Sequence, residues 1–155
     1  RDGQAVGEIW VRGPTVTPGY WRNSEATQAA LQDGWLRTGD LATWNAESYV
    51  TIVDRKKDVI LSGGESIYTV EIEAAVARHP AVLESAAFGV PDEEWGEVPH
   101  LAVALREDGA VDPEDLQLFL AEHLARYKIP KVIRIVDALP RLGTGKVAKR
   151  LLRPS

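Results

Sequence analysis

Apolar and polar residues change their rhythm along the chain near residue 54. Upstream, short β-prone runs alternate with glycine-rich turns. Residues 7–12 (GEIWVR) read as a strand bounded by glycines. A turn-rich stretch, residues 13–21, comes next. Asn23 or Ser24 can cap a short helix reaching about Gln32, with Glu25 in its first turn. Residues 34–44 (GWLRTGDLATW) read as strand, glycine turn, strand, and Tyr49–Arg55 as another strand.

The charged break DRKKD, Asp54–Asp58, separates this β-rich third from the remainder of the chain and is the best boundary candidate. On spacing alone, a polar hairpin turn is the preferred reading. Beyond it, VILSGGESI sets Gly63 and Gly64 inside an apolar run. Residues 69–78 put Ile72, Ala75 and Val76 on one face, with Glu71 and Glu73 near the start, as in a helix that ends before Pro80. Two strands, 82–91 and 98–107, flank the turn DEEWGE. Asp112 caps a second helix with Pro113 at its first position, and Leu116, Phe119, Leu120 and Leu124 recur at helical spacing. Residues 131–139 (KVIRIVDAL) form a third strand. The order helix, strand, strand, helix, strand, tail predicts a small α+β domain of about three strands with helices on one face.

Composition narrows the function classes. At 155 residues the chain can hold one domain, or a small domain with an appendage. A net charge of −5 argues against nucleic acid or an acidic membrane surface as a general partner. The absence of cysteine excludes disulfides and thiolate metal sites. His79, His100 and His123 lie too far apart to predict a zinc site, and His123 reads as a core or boundary residue on the apolar face of the second helix. No run approaches the ~18 to 20 apolar residues of a membrane span, and no signal peptide is visible, which favours a cytoplasmic location. The chain has no methionine and opens at Arg1, so it is expected to be a piece of a longer protein; a processed N-terminus is the alternative.

Chemistry-bearing residues fall in four places. Asp40 of RTGD follows a glycine and can accept from a vicinal diol; a turn aspartate bonding its own backbone is the commoner case. The basic run Arg55–Lys57 can hold phosphate or ribose oxygens, or be a solvated turn. Gly63 and Gly64 allow close approach of a ligand or a pivot, or simply form a bulge or a tight turn. Lys146 sits on a glycine turn. Its surroundings are not a P-loop, because Pro140 stands where the first glycine is required and Val147 where a hydroxyl is. As a point charge it can meet a phosphate or carboxylate; otherwise it belongs to a basic tail.

In order and spacing, GEIWVRGPTVTPGYW, GWLRTGD, IVDRKKDVILSGGESIYTVEIE, GVPDEEWGE and PRLGTGKVAKR resemble the closing part of the adenylate-forming enzymes: acyl-CoA synthetases, luciferases and peptide-synthetase adenylation domains. The resemblance covers essentially the whole chain. It implies that residues 1–56 are the β-rich end of a large adenylation domain and residues 57–155 a small C-terminal lid domain, joined at a hinge at Lys57. It implies that Asp40 binds the ribose of ATP or of the acyl-adenylate, that Arg55 contacts the nucleotide, and that Lys146 stabilises charge during adenylation. Rotation about the hinge would then withdraw Lys146 and bring in a CoA-facing surface with Gly63, Gly64 and Trp95, and with Tyr127, Lys128 and Lys131 from YKIPK. LSGGESIYTVEIE is most similar to fatty-acyl and related acyl-CoA synthetases.

The implied activity is that of an AMP-forming acid–thiol ligase. It would use ATP, Mg²⁺ held by an upstream residue, CoA and a carboxylic acid, and a homodimer is compatible with it. The family's phosphate loop, its Thr-Glu pair and the acyl pocket lie upstream, so the chain alone is expected to be inactive. Two alternatives are an adenylating enzyme that loads a carrier protein, and a non-catalytic module of this fold. Departures from the pattern are Glu47 and Ser48, where relatives have an Asp/Gly turn, and Thr69, where they often have Pro.

Overall fold

The computed structural model describes residues 2–154. They form two compact units, one ending at Lys57 and the other beginning at Asp58.

The first unit contains β1 (Val6–Val11), α1 (Ser24–Ala30), β2 (Leu31–Gln32), β3 (Trp35–Trp44) and β4 (Val50–Arg55), in one antiparallel sheet organised around β3. β1 pairs along one edge of β3, and β2 and β4 pair with its two ends. Asn23 caps α1 by accepting the Ala26 N–H at 2.9 Å. The helix is shorter than the expected run to about Gln32. Asp33 (φ 49°) and Gly34 (φ 77°) make a two-residue hairpin turn that draws Leu31 and Gln32 into pairing with β3.

Residues 34–44 do not fold as strand, turn, strand. β3 is continuous, and the glycine makes a bulge instead: β1 advances from Glu8 to Trp10 while β3 advances from Arg37 to Leu41. Gly39, at φ 74°, absorbs the extra length. The hairpin at Asn45–Tyr49 closes despite lacking a glycine, with Ser48 at φ 70° and Asn45 Oδ1 accepting the Tyr49 N–H at 2.9 Å. Little of this unit is buried. Ala42 and Asp54 are its buried residues, while Trp21, Tyr49 and Ile52 are largely exposed.

The second unit contains β5 (Ile60–Ser62), β6 (Glu65–Ile67), α2 (Thr69–Val76), β7 (Val82–Asp92), β8 (Gly96–Leu105), α3 (Pro113–Ala121) and β9 (Val132–Val136). The sheet runs β6-β5-β8-β7, with β9 parallel to β8. Five strands thus replace the three expected from the pattern. The added pair is the short β5–β6 hairpin, folded over Gly63 and Gly64, both at positive φ. β9 runs parallel to β8 because the connection between them crosses over through α3.

Strand alternation gives the sheet two covered faces. Ala87, Leu101 and Val103 point to the helices and pack with Ile72, Val76, Leu116 and Leu120. Ala86, Phe88 and Ala102 point the other way, onto Leu139 and Leu152 of the tail. α3 begins where expected, with Asp112 Oδ1 accepting the Asp115 N–H at 2.9 Å. It stops at Ala121, however, so His123 is not a core residue: it is exposed, and its Nδ1 donates to the Phe119 carbonyl at 2.8 Å. Among the described residues no helix is long and apolar enough to cross a membrane.

Leu116 is fully buried between α3 and the sheet. Leu116→Ala is expected to cost about 2–5 kcal/mol and Asp112→Ala about 1 kcal/mol, measured by chemical denaturation of the chain.

Candidate functional site

In the first unit the bulge at Gly39 delivers Asp40 next to β4. Asp40 and Arg55 are cross-strand partners, and Arg55 Nε donates to Asp40 Oδ1 at 2.9 Å. The pair is partly exposed, so it adds little stability; its consequence is placement of a carboxylate beside a guanidinium on one surface. The bulge is pinned. Thr38 Oγ1 donates to the Ile9 carbonyl and accepts the Asp40 N–H, and the Lys56 N–H donates to the Gly39 carbonyl at 2.8 Å.

Lys56 also reaches Glu8 at 3.0 Å, and Arg37 stands 3.6 Å from the same carboxylate. That hydrogen bond from Lys56, ahead of the lesser contributions, holds the Glu8 carboxyl below its ordinary range. Glu8 and Arg37 lie within motifs, but nothing in the sequence signals their pairing, because they are remote from each other along the chain. Lys57 is exposed and is the last residue of this unit.

In the second unit three segments distant in sequence meet at one cleft of about 700 Å³. Gly63, Trp95, Tyr127 and Lys131 line it. The Gly63 N–H donates to the Trp95 carbonyl at 2.9 Å, and a Cβ at Gly63 would lie 2.8 Å from the indole ring. Position 63 therefore needs glycine twice over, for its φ of 57° and for the ring beside it. Trp95 is half exposed, on a turn set by Asp92, whose Oδ1 accepts the N–H groups of Glu94 and Trp95.

The other Asp92 oxygen accepts from Lys131 Nζ at 2.7 Å, and the Lys131 N–H donates to the Pro99 carbonyl at 2.7 Å. This bond to Lys131 comes first in holding the Asp92 carboxyl below its usual value, and the bond to Asp92 likewise raises the Lys131 ammonium.

Two of the expected residues are not in the cleft lining. Gly64 completes the hairpin turn with no atom near its missing side chain. Lys128 turns to α2, where Nζ donates to both Glu71 oxygens at 2.8 and 2.7 Å. Burial, the largest influence on Lys128, acts to lower its ammonium, yet the Glu71 contacts leave it raised. Arg126 and Glu65 line the cleft although no motif singles them out. Each adjoins or lies within a motif, so proximity to Tyr127 and to Gly63 is the signal the sequence offers.

Lys146 is exposed at the end of a tight turn on the tail. Its surroundings are less slack than the glycines imply. The Gly145 N–H donates to the Leu142 carbonyl and the Leu142 N–H to the Lys146 carbonyl, both at 2.8 Å. Among the described residues no carboxylate oxygen lies within 4 Å of its Nζ in an ion pair. Downstream, Lys149 Nζ donates to Thr69 Oγ1 at 2.8 Å and pairs with Glu73 at 2.9 Å.

Residues 71–146 match the AMP-binding enzyme C-terminal domain. A long-chain-fatty-acid–CoA ligase of Yersinia pestis is 47% identical over 147 residues, covering 95% of this chain and 26% of its own length. A 2-succinylbenzoate–CoA ligase of Listeria monocytogenes is 44% identical over 147 residues, covering 95% of this chain and 31% of its own length. In structure, the chain is similar to the o-succinylbenzoate CoA synthetase of Bacillus subtilis in complex with its acyl-adenylate intermediate. The TM-score is 0.90 at 38% identity, over 100% of this chain and 32% of the other. Residues 71–146 belong to the AMP-binding enzyme C-terminal domain family, and the second unit has the fold of the small C-terminal domain of adenylate-forming enzymes. The chain spans about a quarter to a third of the length of these relatives.

Lys131→Met is expected to move the Asp92 carboxyl midpoint upward toward the ordinary aspartate value in an NMR titration, because it removes the foremost cause of the shift. An unchanged midpoint would refute the coupling. Gly63→Ala should displace the Trp95 ring and cost about 1 kcal/mol or more, seen as a changed Trp95 indole N–H resonance together with a lowered melting temperature.

Proposed function

We propose that the chain is the C-terminal part of an AMP-forming acyl-CoA synthetase. On this reading the first unit closes a larger adenylation domain, the second is its lid, and the two are hinged at Lys57. The observation that carries the reading is the convergence of the Gly63 turn, Trp95 and residues 126–131 on one cleft, since these are the segments that would face CoA.

The chemistry runs in two steps. A carboxylate oxygen attacks the α-phosphorus of ATP and pyrophosphate leaves, giving the acyl-adenylate. Asp40 accepts hydrogen bonds from the ribose hydroxyls, and Arg55 donates to the nucleotide. The Lys146 ammonium offsets negative charge that grows at the α-phosphate and carboxylate. The thiol sulfur of CoA then attacks the acyl carbon and AMP leaves. The cleft supports this second step. It presents an indole face, an apolar floor at Val98 and Pro99, and cations at Arg126 and Lys131 suited to a long ligand with a phosphorylated end. The acid is inferred to be fatty or aromatic, as the named relatives include both. Mg²⁺ would be held by residues outside this chain.

In the full-length enzyme, Lys146→Ala should slow acyl-adenylate formation by about 10²–10³-fold while largely sparing thioester formation from supplied acyl-adenylate. Equal loss in both half-reactions would remove the role given to Lys146. Asp40→Ala should weaken ATP binding by about tenfold to a hundredfold, measured by calorimetry. Mass spectrometry of products formed with CoA, and with a carrier protein in its place, tests the acceptor; a screen of acids on the same enzyme tests the acyl class.

A further inference from the structure

Arg141 holds two partners at once. Its Nη1 donates to the carbonyl of Gly145 at 2.9 Å, and its Nη2 donates to the Glu84 carboxylate on β7. Gly145 immediately precedes Lys146, so the first bond fixes the carbonyl from which the lysine backbone departs. The second ties that bond to the longest strand of the sheet.

The rest of the turn is built to need such a tie. Its base is secured by burial of Leu139, Ala148 and Leu152, by the Ala148 N–H donating to the Pro140 carbonyl at 2.7 Å, and by pairing of Arg141 with Val147. Its tip is exposed and contains Gly143 and Gly145, residues that lose more conformational freedom on ordering than any other. The Lys146 side chain is itself flexible, so the reach of its ammonium group is set by where its Cα is held.

We propose that Arg141, braced by Glu84, is a positioning residue for Lys146. The proposal rests on the adenylation role assigned to Lys146 under the proposed function. Arg141 touches no reacting atom in this scheme; it acts by holding the turn. The planar guanidinium suits the task, because it presents separate N–H groups to a carbonyl and a carboxylate in fixed directions, whereas a lysine there would share one nitrogen between them.

The test uses the full-length enzyme carrying Arg141→Gln, Arg141→Lys, Glu84→Gln, the double change Arg141→Gln/Glu84→Gln, and Lys146→Ala, each assayed in both half-reactions and by thermal melting. Arg141→Gln is expected to slow acyl-adenylate formation roughly tenfold to a hundredfold, as a misplacement of about 1 Å does, with thioester formation from supplied acyl-adenylate within about twofold of wild type. Arg141→Lys should recover part of the loss. The double variant should be no slower than Arg141→Gln alone, because Glu84 acts through Arg141. Adenylation within about twofold of wild type in Arg141→Gln, or an equal fall in both half-reactions, overturns the proposal. If Lys146→Ala leaves adenylation intact, the functional reading fails and the proposal with it; if Lys146→Ala separates the half-reactions and Arg141→Gln does not, the proposal alone fails.

Discussion

Pairing of β8 on both edges is the constraint on which the second unit depends. One edge carries the long antiparallel ladder to β7; the other carries the parallel ladder to β9 and the contact from Ser62 to Gly96. The strand also divides the core, sending Leu101 and Val103 to the helices and Ala102 to the tail. Every segment of the cleft is referred to it. Trp95 lies on the turn that starts it, the Gly63 turn is bonded to that same turn, and the Pro99 carbonyl takes the Lys131 N–H. A displacement of β8 would therefore move the cleft lining and both hydrophobic clusters together.

Charged pairs play a different part. Arg55–Asp40, Lys131–Asp92 and Arg141–Glu84 each join groups of which at least one is well exposed, so water screens their contribution to stability. What they share is geometry: each links a candidate functional residue, or the backbone beside one, to a strand or to the turn that ends it. Glu71 and Glu73 show the opposite use, because both take lysines that the basic character of the tail and of YKIPK leaves open for ligands. Lys128, held by both Glu71 oxygens, lies outside the cleft lining, whereas Lys131, though bonded to Asp92, stays in it.

Helix starts are legible along the chain because their causes are local. Asn23 and Asp112 cap the helices within three residues of themselves, and Pro113 adds a fixed φ at the first position. The bulge at Gly39 is not legible. A glycine at positive φ satisfies both a turn and a bulge, and the choice lies with Thr38 bonding to Ile9, twenty-nine positions away. For the same reason the sequence leaves a pivot, a bulge and a tight turn open at Gly63 and Gly64, since the partner that stabilises the β5–β6 turn is Trp95. His123 misleads in the other direction: helical spacing continues in the pattern past the point at which α3 ends.

By itself the sequence determined the family, the ordered motifs, the helices and the candidates Asp40, Arg55, Gly63, Trp95 and Lys146. Local hydrogen bonding suffices for the helix starts, and the resemblance of the ordered motifs supplies the family and the candidates, because each motif is recorded within a few residues. Only the tertiary structure decided which candidates share a surface. It joined Gly63, Trp95, Tyr127 and Lys131, added Arg126 and Glu65, and left Gly64 and Lys128 out of the lining. It also placed Arg141 between Glu84 and the carbonyl before Lys146. Strand partners and ion pairs form between residues far apart in the chain, and no local period encodes which distant group will arrive.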